Sequence, residues 1–503
     1  MPMKTSTRKT VQFVPKPNAF VNAMQVASNF TLTENGAVTN KSTLSHVLDF
    51  FGAAGALRER PEADVINLFS RAFAEDRLLA LKTLFYIRDV REGQGERRTF
   101  RTILNWLGTN YPDVVRKNLE NVGFYGRFDD LYVLVGTSLE KDVFNLFGNQ
   151  LKADLLNLKK DAEVSLLAKW LKSENTSSQA SRALATKTRK ALDLSPKRYR
   201  KILSALRKHI DVLETKMCSG DWSTINFERV PSKASLNYRK AFGRHDQERY
   251  AAYLKSVEKG EAKINAGAVF PYEIFRSIIN SPSAQEILQA DLQWKAQPNW
   301  LEGNEHYGLV IADVSGSMES NNKLPLLVSV SLALYFAERN NGPYKDCWIN
   351  FSTTPSFQKF VGNNIREKYN NMDKRNWAMS TDLQAAFELI LNTAKTNRIP
   401  QKDMPSVLYI VSDMEFNDAG GKTNYDAIRE KYVRAGYKLP RIVWWNVNAR
   451  NEQFPIRSDA TGTAMVSGAS PSILKSLLAA KSFDPMSIVY ETVNKPRYER
   501  VTV

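Results

Sequence analysis

The sequence predicts a multidomain protein: an all-α array of HEAT-like helical repeats followed by an α/β domain on a parallel, doubly wound sheet. Three observations predict it. From Ala23 to about Leu213, apolar residues recur at three-and-four spacing with short breaks, the pattern of amphipathic helices. From Tyr307 onward, apolar runs of strand length alternate with helical patterns, which implies a parallel sheet with helices on both faces. A chain of 503 residues, 43% of them hydrophobic, exceeds one domain and can fill more than one core. The chain divides into a basic arm at 1–22, a helical domain at 23–300, an α/β domain at 305–485 and a C-terminal extension at 486–503.

In the helical part, "EDRLLALKTLFYIRD" gives one amphipathic helix, "REGQG" the turn, and "ERRTFRTILNWLG" the next helix, ending at Gly108. Pro112 then marks a helix start and Gly123 its end, before "RFDDLYVLVG" begins another. Such pairs cannot bury their faces alone, so they stack as repeats, although no fixed period is visible. Pro231 and Pro271 bracket further helices, and a linker is expected in "WKAQPNWLEGNEHYG". Beyond it, "YGLVIAD", "CWINFS", "SVLYIVSD" and "RIVWWNV" read as strands. "KLPLLVSVSLALYFAERN", "TDLQAAFELILNTAK" and "YDAIREKYVRAG" read as the helices between them.

Charge narrows the function. The formal net charge is +17 and the pI about 9.5, which favours an anionic partner and above all nucleic acid. A basic surface that serves solubility alone is the plainer alternative. The N-terminus has no apolar targeting core, and no run of eighteen apolar residues occurs, so a soluble, cytoplasmic protein without membrane contact is expected. Cys218 and Cys347 match neither a disulfide framework nor a zinc pattern, and four histidines suggest no histidine metal site. Between residues 181 and 210, Arg182, Lys187, Arg189, Lys190, Lys197, Arg198, Arg200, Lys201, Arg207 and Lys208 face a single acid, Asp193. These cations are the leading candidates for a phosphate-binding surface, continued by Arg239, Lys240 and Arg244. A solvated helix face is the competing reading. Tyr199 interrupts the run and could stack on a base or fill the core. His245, beside Asp246 and Glu248, reads as a surface histidine.

A metal site is read from the strand ends. Asp313 closes the first strand of the α/β domain, Asp413 closes "SVLYIVSD", Thr381 opens the helix "TDLQAAF", and Ser315 and Ser317 follow Asp313. In a doubly wound sheet these meet at the carboxyl edge. Oxygen donors with two carboxylates suit Mg2+ or another divalent cation, with a coordination position left for an outside carboxylate or phosphate. Capping of a helix or turn is the competing role for the serines. "NDAGGKT" mimics the end of a phosphate-binding loop, but Phe416 stands where its first glycine belongs. No nucleophile–base constellation appears, which predicts a binding protein and not an enzyme.

At Asp313, Ser315, Ser317, Thr381 and Asp413 the chain resembles a von Willebrand factor A domain with its metal-ion-dependent adhesion site. Upstream, "LFYIRDVREGQGERRTFR", "YGRFDDL" and "INFERVPSKASLNYRKAFGRHDQERY" look like the helical region of Ro-autoantigen-like (TROVE-module) proteins of the uncharacterised branch. The resemblance implies a ring of HEAT-like repeats closed by the A domain, binding small noncoding RNA on its basic outside and single-stranded RNA ends in its central hole. The alternative is a metal-dependent adaptor, in which an acidic protein ligand completes the Mg2+ sphere. A metal-dependent nuclease ranks third.

Overall fold

The computed structural model describes residues 19–303, 308–375, 377–480 and 482–503. Residues 1–18 of the expected basic arm lie outside the described residues, as do 304–307 of the expected linker. Residues 19–22 begin the helix Ala19–Ser28.

Helices fill the chain from His46 to Lys295, and their starts are written in the sequence. The Asp76 carboxylate caps Arg77–Arg88 by accepting from the Leu79 amide, and the Ser195 hydroxyl caps Pro196–His209 at the Arg198 amide. Ser283 and Glu286 form a reciprocal capping box at the start of Ala284–Lys295. Two glycines do not end helices as expected. Arg98–Asn110 runs on through Gly108, where a Cβ would stand 2.5 Å from Leu134 Cδ2. Gly123 lies inside Leu119–Tyr125, where a Cβ would meet the Phe128 ring at 3.0 Å. Both glycines serve close approach and not a left-handed cap.

Strands β1 (Phe30–Leu32) and β2 (Val38–Asn40) form an antiparallel hairpin. The main sheet contains β3 (Gly308–Asp313), β4 (Cys347–Phe351), β5 (Ser356–Lys359), β6 (Val407–Ser412), β7 (Arg441–Asn446) and β8 (Thr463–Ser467) in the order β5-β4-β3-β6-β7-β8. Only β5 runs antiparallel to its neighbour. Strand order runs outward in opposite directions from the parallel pair β3 and β6, the switch point at which doubly wound sheets open a crevice. Every residue of β3 and β6 is buried, so both faces are covered, as their near-continuous apolar sequences require.

The helical array starts and finishes on this sheet unit. At its start, His46–Ala54 lies on β8, where Ser467 Oγ donates to the Phe51 carbonyl at 3.0 Å and accepts from the Gly55 amide at 3.0 Å. At its end, Trp294 Nε1 donates to Glu338 at 2.5 Å, Arg366 donates to the Ile279 carbonyl at 2.8 Å, and the Ile365 amide donates to Asp291 at 3.1 Å. Residues 486–503, read as an extension, return to the array. Arg497 pairs with buried Asp89, Tyr498 Oη donates to Asp89 at 3.0 Å, and its ring stacks on Tyr125 at 5.3 Å.

Candidate functional site

At the switch point, Asp313 ends β3 and Asp413 follows β6, one residue past Ser412. Both are buried. Asp313 Oδ1 accepts from the Ser315 amide at 2.9 Å and Oδ2 from Ser412 Oγ at 2.5 Å. Ser315 Oγ and Ser317 Oγ lie 3.2 Å apart, close to the roughly 3 Å edge of an octahedron with 2.1 Å bonds. The third connection is drawn in by its backbone: the Gly316 amide donates to the Met379 carbonyl at 2.8 Å, the Ala378 amide to Val314 at 2.8 Å, and the Asn417 amide to Thr381 at 2.9 Å. Thr381 is buried but does not open its helix. Asp382 is the N-cap of Leu383–Thr396, accepting from the Ala385 amide at 2.9 Å.

The electrostatics of this edge are unbalanced. Burial, reinforced by the negative charge of Asp413, pushes the Asp313 carboxyl up to about 7. Arg450 pairs with Asp413 at 3.0 Å, and among the described residues no cation pairs with Asp313. Nor does any trio of His, Cys, Asp and Glu gather there, so a cation would rely on hydroxyls and water beside the aspartates. Two buried carboxylates, one uncompensated, with two hydroxyls at octahedral spacing fit a hard divalent ion.

A feature not read from the sequence adjoins this edge. The β1–β2 hairpin lays its tip on the loop after Asp413: the Glu34 amide donates to Glu415 Oε2 at 2.8 Å, Asn35 Nδ2 to the Glu415 carbonyl at 2.6 Å, and Thr33 Oγ1 to the Phe416 carbonyl at 2.7 Å. Arg450 Nη1 reaches Glu34 at 2.8 Å.

The thirteen nominated cations separate into two groups. Lys190, Lys197, Arg198, Arg200, Lys201, Lys208 and Arg244 are exposed, and among the described residues no carboxylate pairs with them. The others are engaged: Lys187 with Glu140 at 2.6 Å, Arg189 with Glu174 at 2.8 Å, Arg239 with Glu286 at 3.2 Å and Lys240 with Glu286 at 3.6 Å. Arg182 donates to the Thr176 carbonyl at 2.8 Å. Arg207 is a structural residue, donating to the Ala168 and Leu171 carbonyls and to Ser173 Oγ, each at 2.9 Å. Tyr199 cannot stack on a base, because it is fully buried and its hydroxyl donates to the Lys172 carbonyl at 2.8 Å. Exposed His245 stacks on Trp222 with ring centres 4.3 Å apart.

A larger basic feature lies inside the array. Elements from Arg58 to Glu273 line an open cavity of about 1320 Å³, walled by Arg58, Arg88, Arg91, Arg97, Arg98, Arg127, Lys169, Arg207 and Lys233 against Glu96, Glu214 and Glu273. Arg58, Arg88, Arg127 and Lys233 are paired with Glu96, Asp130, Asp129 and Glu273. Among the described residues the remaining five have no carboxylate at ion-pair distance. Trp170, Tyr238, Phe270 and Tyr272 join the wall, and the Arg127 guanidinium lies 3.6 Å over the Trp170 ring. Of the nominated cations only Arg207 lines this cavity. The rest of its wall was missed because its cations are scattered over many connections; the signal in sequence was the cluster Arg91, Arg97 and Arg98 around the glycine turn.

Comparison with known proteins follows these units. The family described as a domain of unknown function (DUF2828) matches residues 33–126 and 137–299, together just over half of the chain, and a second domain of unknown function (DUF7788) matches residues 308–500. An "Uncharacterized protein L728" of Acanthamoeba polyphaga mimivirus is 29% identical, with 92% of this chain and 87% of that protein aligned. Among solved structures, the Ro (RSR) protein of Deinococcus radiodurans aligns with 14% identity and a TM-score of 0.38, covering 90% of this chain and all of that one.

Proposed function

The chain belongs to the DUF2828 family, a domain of unknown function, and from that premise we propose that it is an RNA-binding protein of Ro type. Its helical array would take single-stranded ends of small noncoding or defective RNA into the basic cavity. The observation that carries this reading is the cavity wall: nine cations against three acids, interleaved with aromatic rings. Cations that track a phosphate backbone beside rings that stack on bases are what single strands need. The exposed cations of helix Pro196–His209, Lys197, Arg198, Arg200 and Lys201, offer a second surface for duplex or loop phosphates.

In this reading the sheet edge is a metal-ion-dependent adhesion site of a von Willebrand factor A domain. Asp313, Ser315, Ser317, Thr381 and Asp413 would hold Mg2+, which when bound would supply a positive charge for an acidic protein ligand. These residues orient one another: Ser412 fixes the Asp313 carboxylate, and Arg450 holds Asp413. The protein acts by binding, in the cytosol, and no catalytic step is assigned to it. A metal-dependent adaptor without RNA function is the second reading, favoured by the exposure of Gly316 and Met379 at the rim of the edge.

The test is purification at low salt, with sequencing of the RNA that accompanies the chain, repeated with Arg91, Arg97 and Lys169 changed to glutamate. The RNA-binding reading predicts co-purifying RNA that the triple variant loses. RNA at background level in both preparations supports the adaptor.

A further inference from the structure

A second, smaller cavity of about 240 Å³ lies among the helices Ser232–His245, Gln247–Glu258 and Ala284–Lys295. Four buried polar atoms on its lining residues make no hydrogen bond: Tyr250 Oη, Arg239 Nε, Glu286 Oε1 and Gln289 Oε1. Tyr250 is 2% exposed and Gln289 0%. Arg239 Nε stands 3.2 Å from Glu286 Oε1, an ion pair without the alignment of a hydrogen bond. Buried polar groups in folded proteins are almost always satisfied, so Tyr250 Oη and Gln289 Oε1, beside an Arg239–Glu286 pair that is not hydrogen-bonded, call for a partner.

The rest of each side chain is already committed to the fold. Glu286 Oε2 accepts from the Ser283 amide at 3.1 Å and hydroxyl at 3.2 Å. Gln289 Nε2 donates to the Ser235 carbonyl at 3.1 Å and to Gln293 Oε1 at 3.2 Å. The capping box and the helix contact thus fix which oxygen each residue has left. The cavity offers two donor groups and two acceptors within. At its mouth stand Lys240, with a side chain 67% exposed, and exposed Arg244.

A ligand for this set brings two acceptors, two adjacent donor groups and a negative charge at its outer end. Guanine alone among the common bases has both N1–H and N2–H2 beside O6 and N7, the latter pair being the usual target of arginine. We propose that this cavity is a guanine-nucleotide site. Glu286 and Gln289 take the N1 and N2 protons, Arg239 and Tyr250 donate to O6 and N7, and Lys240 and Arg244 face the phosphate. The inference goes beyond the RNA reading, because the same nucleotide can arrive free or as the end of a strand.

Calorimetric titration of the full chain with guanosine 5′-monophosphate tests it, with the adenosine monophosphate and inorganic phosphate as comparators. Expected is saturable binding of the guanine nucleotide, at least about tenfold tighter than the adenine nucleotide. Tyr250→Phe should weaken it by about tenfold while leaving the melting temperature nearly unchanged, since the hydroxyl removed is bonded to nothing in the fold. Glu286→Gln should weaken it by a similar factor but also lower the melting temperature, because it gives up the ion pairs with Arg239 and Lys240. Phosphate or the adenine nucleotide binding as tightly, or no binding up to about 1 mM, would overturn the proposal. Displacement of the bound nucleotide by a short RNA ending in G, and not by one ending in A, assigns the site to strand ends. Displacement by neither assigns it to free nucleotide, and equal displacement by both overturns the guanine assignment. Because the large cavity is untouched by these variants, failure here leaves the RNA reading to its own test.

Discussion

Arg450 bridges Asp413 at 3.0 Å and Glu34 at 2.8 Å, so one guanidinium neutralises a sheet-edge aspartate and anchors the N-terminal hairpin to it. Asp313 has no such counter-ion among the described residues. A cation that binds the folded state alone raises stability in proportion to the logarithm of its concentration. Thermal unfolding of the wild type is therefore expected to shift upward with millimolar Mg2+ and to return with chelator. Asp313→Asn should abolish that response, and in chelator above pH 7 it should melt higher than the wild type, because a buried charge has been removed. A persistent Mg2+ shift in the variant would place the ion elsewhere.

Removing Arg450 makes the complementary case. Asp413 is buried, and stripping the partner from a buried carboxylate costs on the order of 3 kcal/mol. Arg450→Ala is expected to lower the unfolding free energy from urea titration by that order and to show a larger Mg2+ stabilisation than the wild type. A smaller one would mean that Arg450 supports ion binding and does not merely substitute for its charge.

The sheet edge that carries Asp313 and Asp413 was legible in sequence because strand ends carry their register. "YGLVIADVSGS" and "SVLYIVSD" mark where a buried strand stops, and a doubly wound sheet brings such ends together. The basic cavity was not legible. Arg58, Arg127, Lys169 and Lys233 are far apart in the chain, and only the curvature of the helical array makes them neighbours. Run-length favoured 181–210 instead, yet Arg189 and Arg207 there are bonded inward. The hairpin contact of Glu34 with Glu415, 381 residues apart, also left no local pattern. Gly108 and Gly123 misled for a related reason, since close helix approach and helix termination use the same residue.

The junction between array and sheet rests on Gly55. A Cβ there would come within 2.8 Å of the Ser467 carbonyl oxygen, which is backbone and cannot yield cheaply, whereas a Cβ at Gly52 would meet the side chain of Met465, whose rotatable bonds let it shift at lower cost. Gly55→Ala is expected to cost about 1–3 kcal/mol and Gly52→Ala less, by chemical denaturation. Equal costs would show that the helix can slide on β8.

At the other end of the chain, Asp89 is buried and takes Arg497 and Tyr498 together. Arg497→Ala leaves that carboxylate with the Tyr498 hydroxyl and the Arg91 amide but no counter-ion, and is expected to destabilise by about 3 kcal/mol. Limited proteolysis should then cut sooner near residue 495, although Asn118 and Asn121 still hold Arg500 and Thr502 to the array. Unchanged protease resistance would assign the hold to the Tyr125–Tyr498 stack and the asparagine bonds to residues 500–502.

The two basic surfaces are separable by salt. Each phosphate contact contributes about 0.7 to the slope of log affinity against log salt for a single strand. If single strands enter the cavity, Arg97→Glu and Lys169→Glu should each reduce that slope by roughly one contact for a short single-stranded RNA, measured by fluorescence anisotropy. Lys197→Glu and Arg200→Glu should leave that probe nearly unaffected and instead weaken a structured hairpin RNA. The reverse assignment would move the strand from the interior of the array to the solvent face of Pro196–His209, and would make the cavity a consequence of helix curvature without a nucleic-acid role.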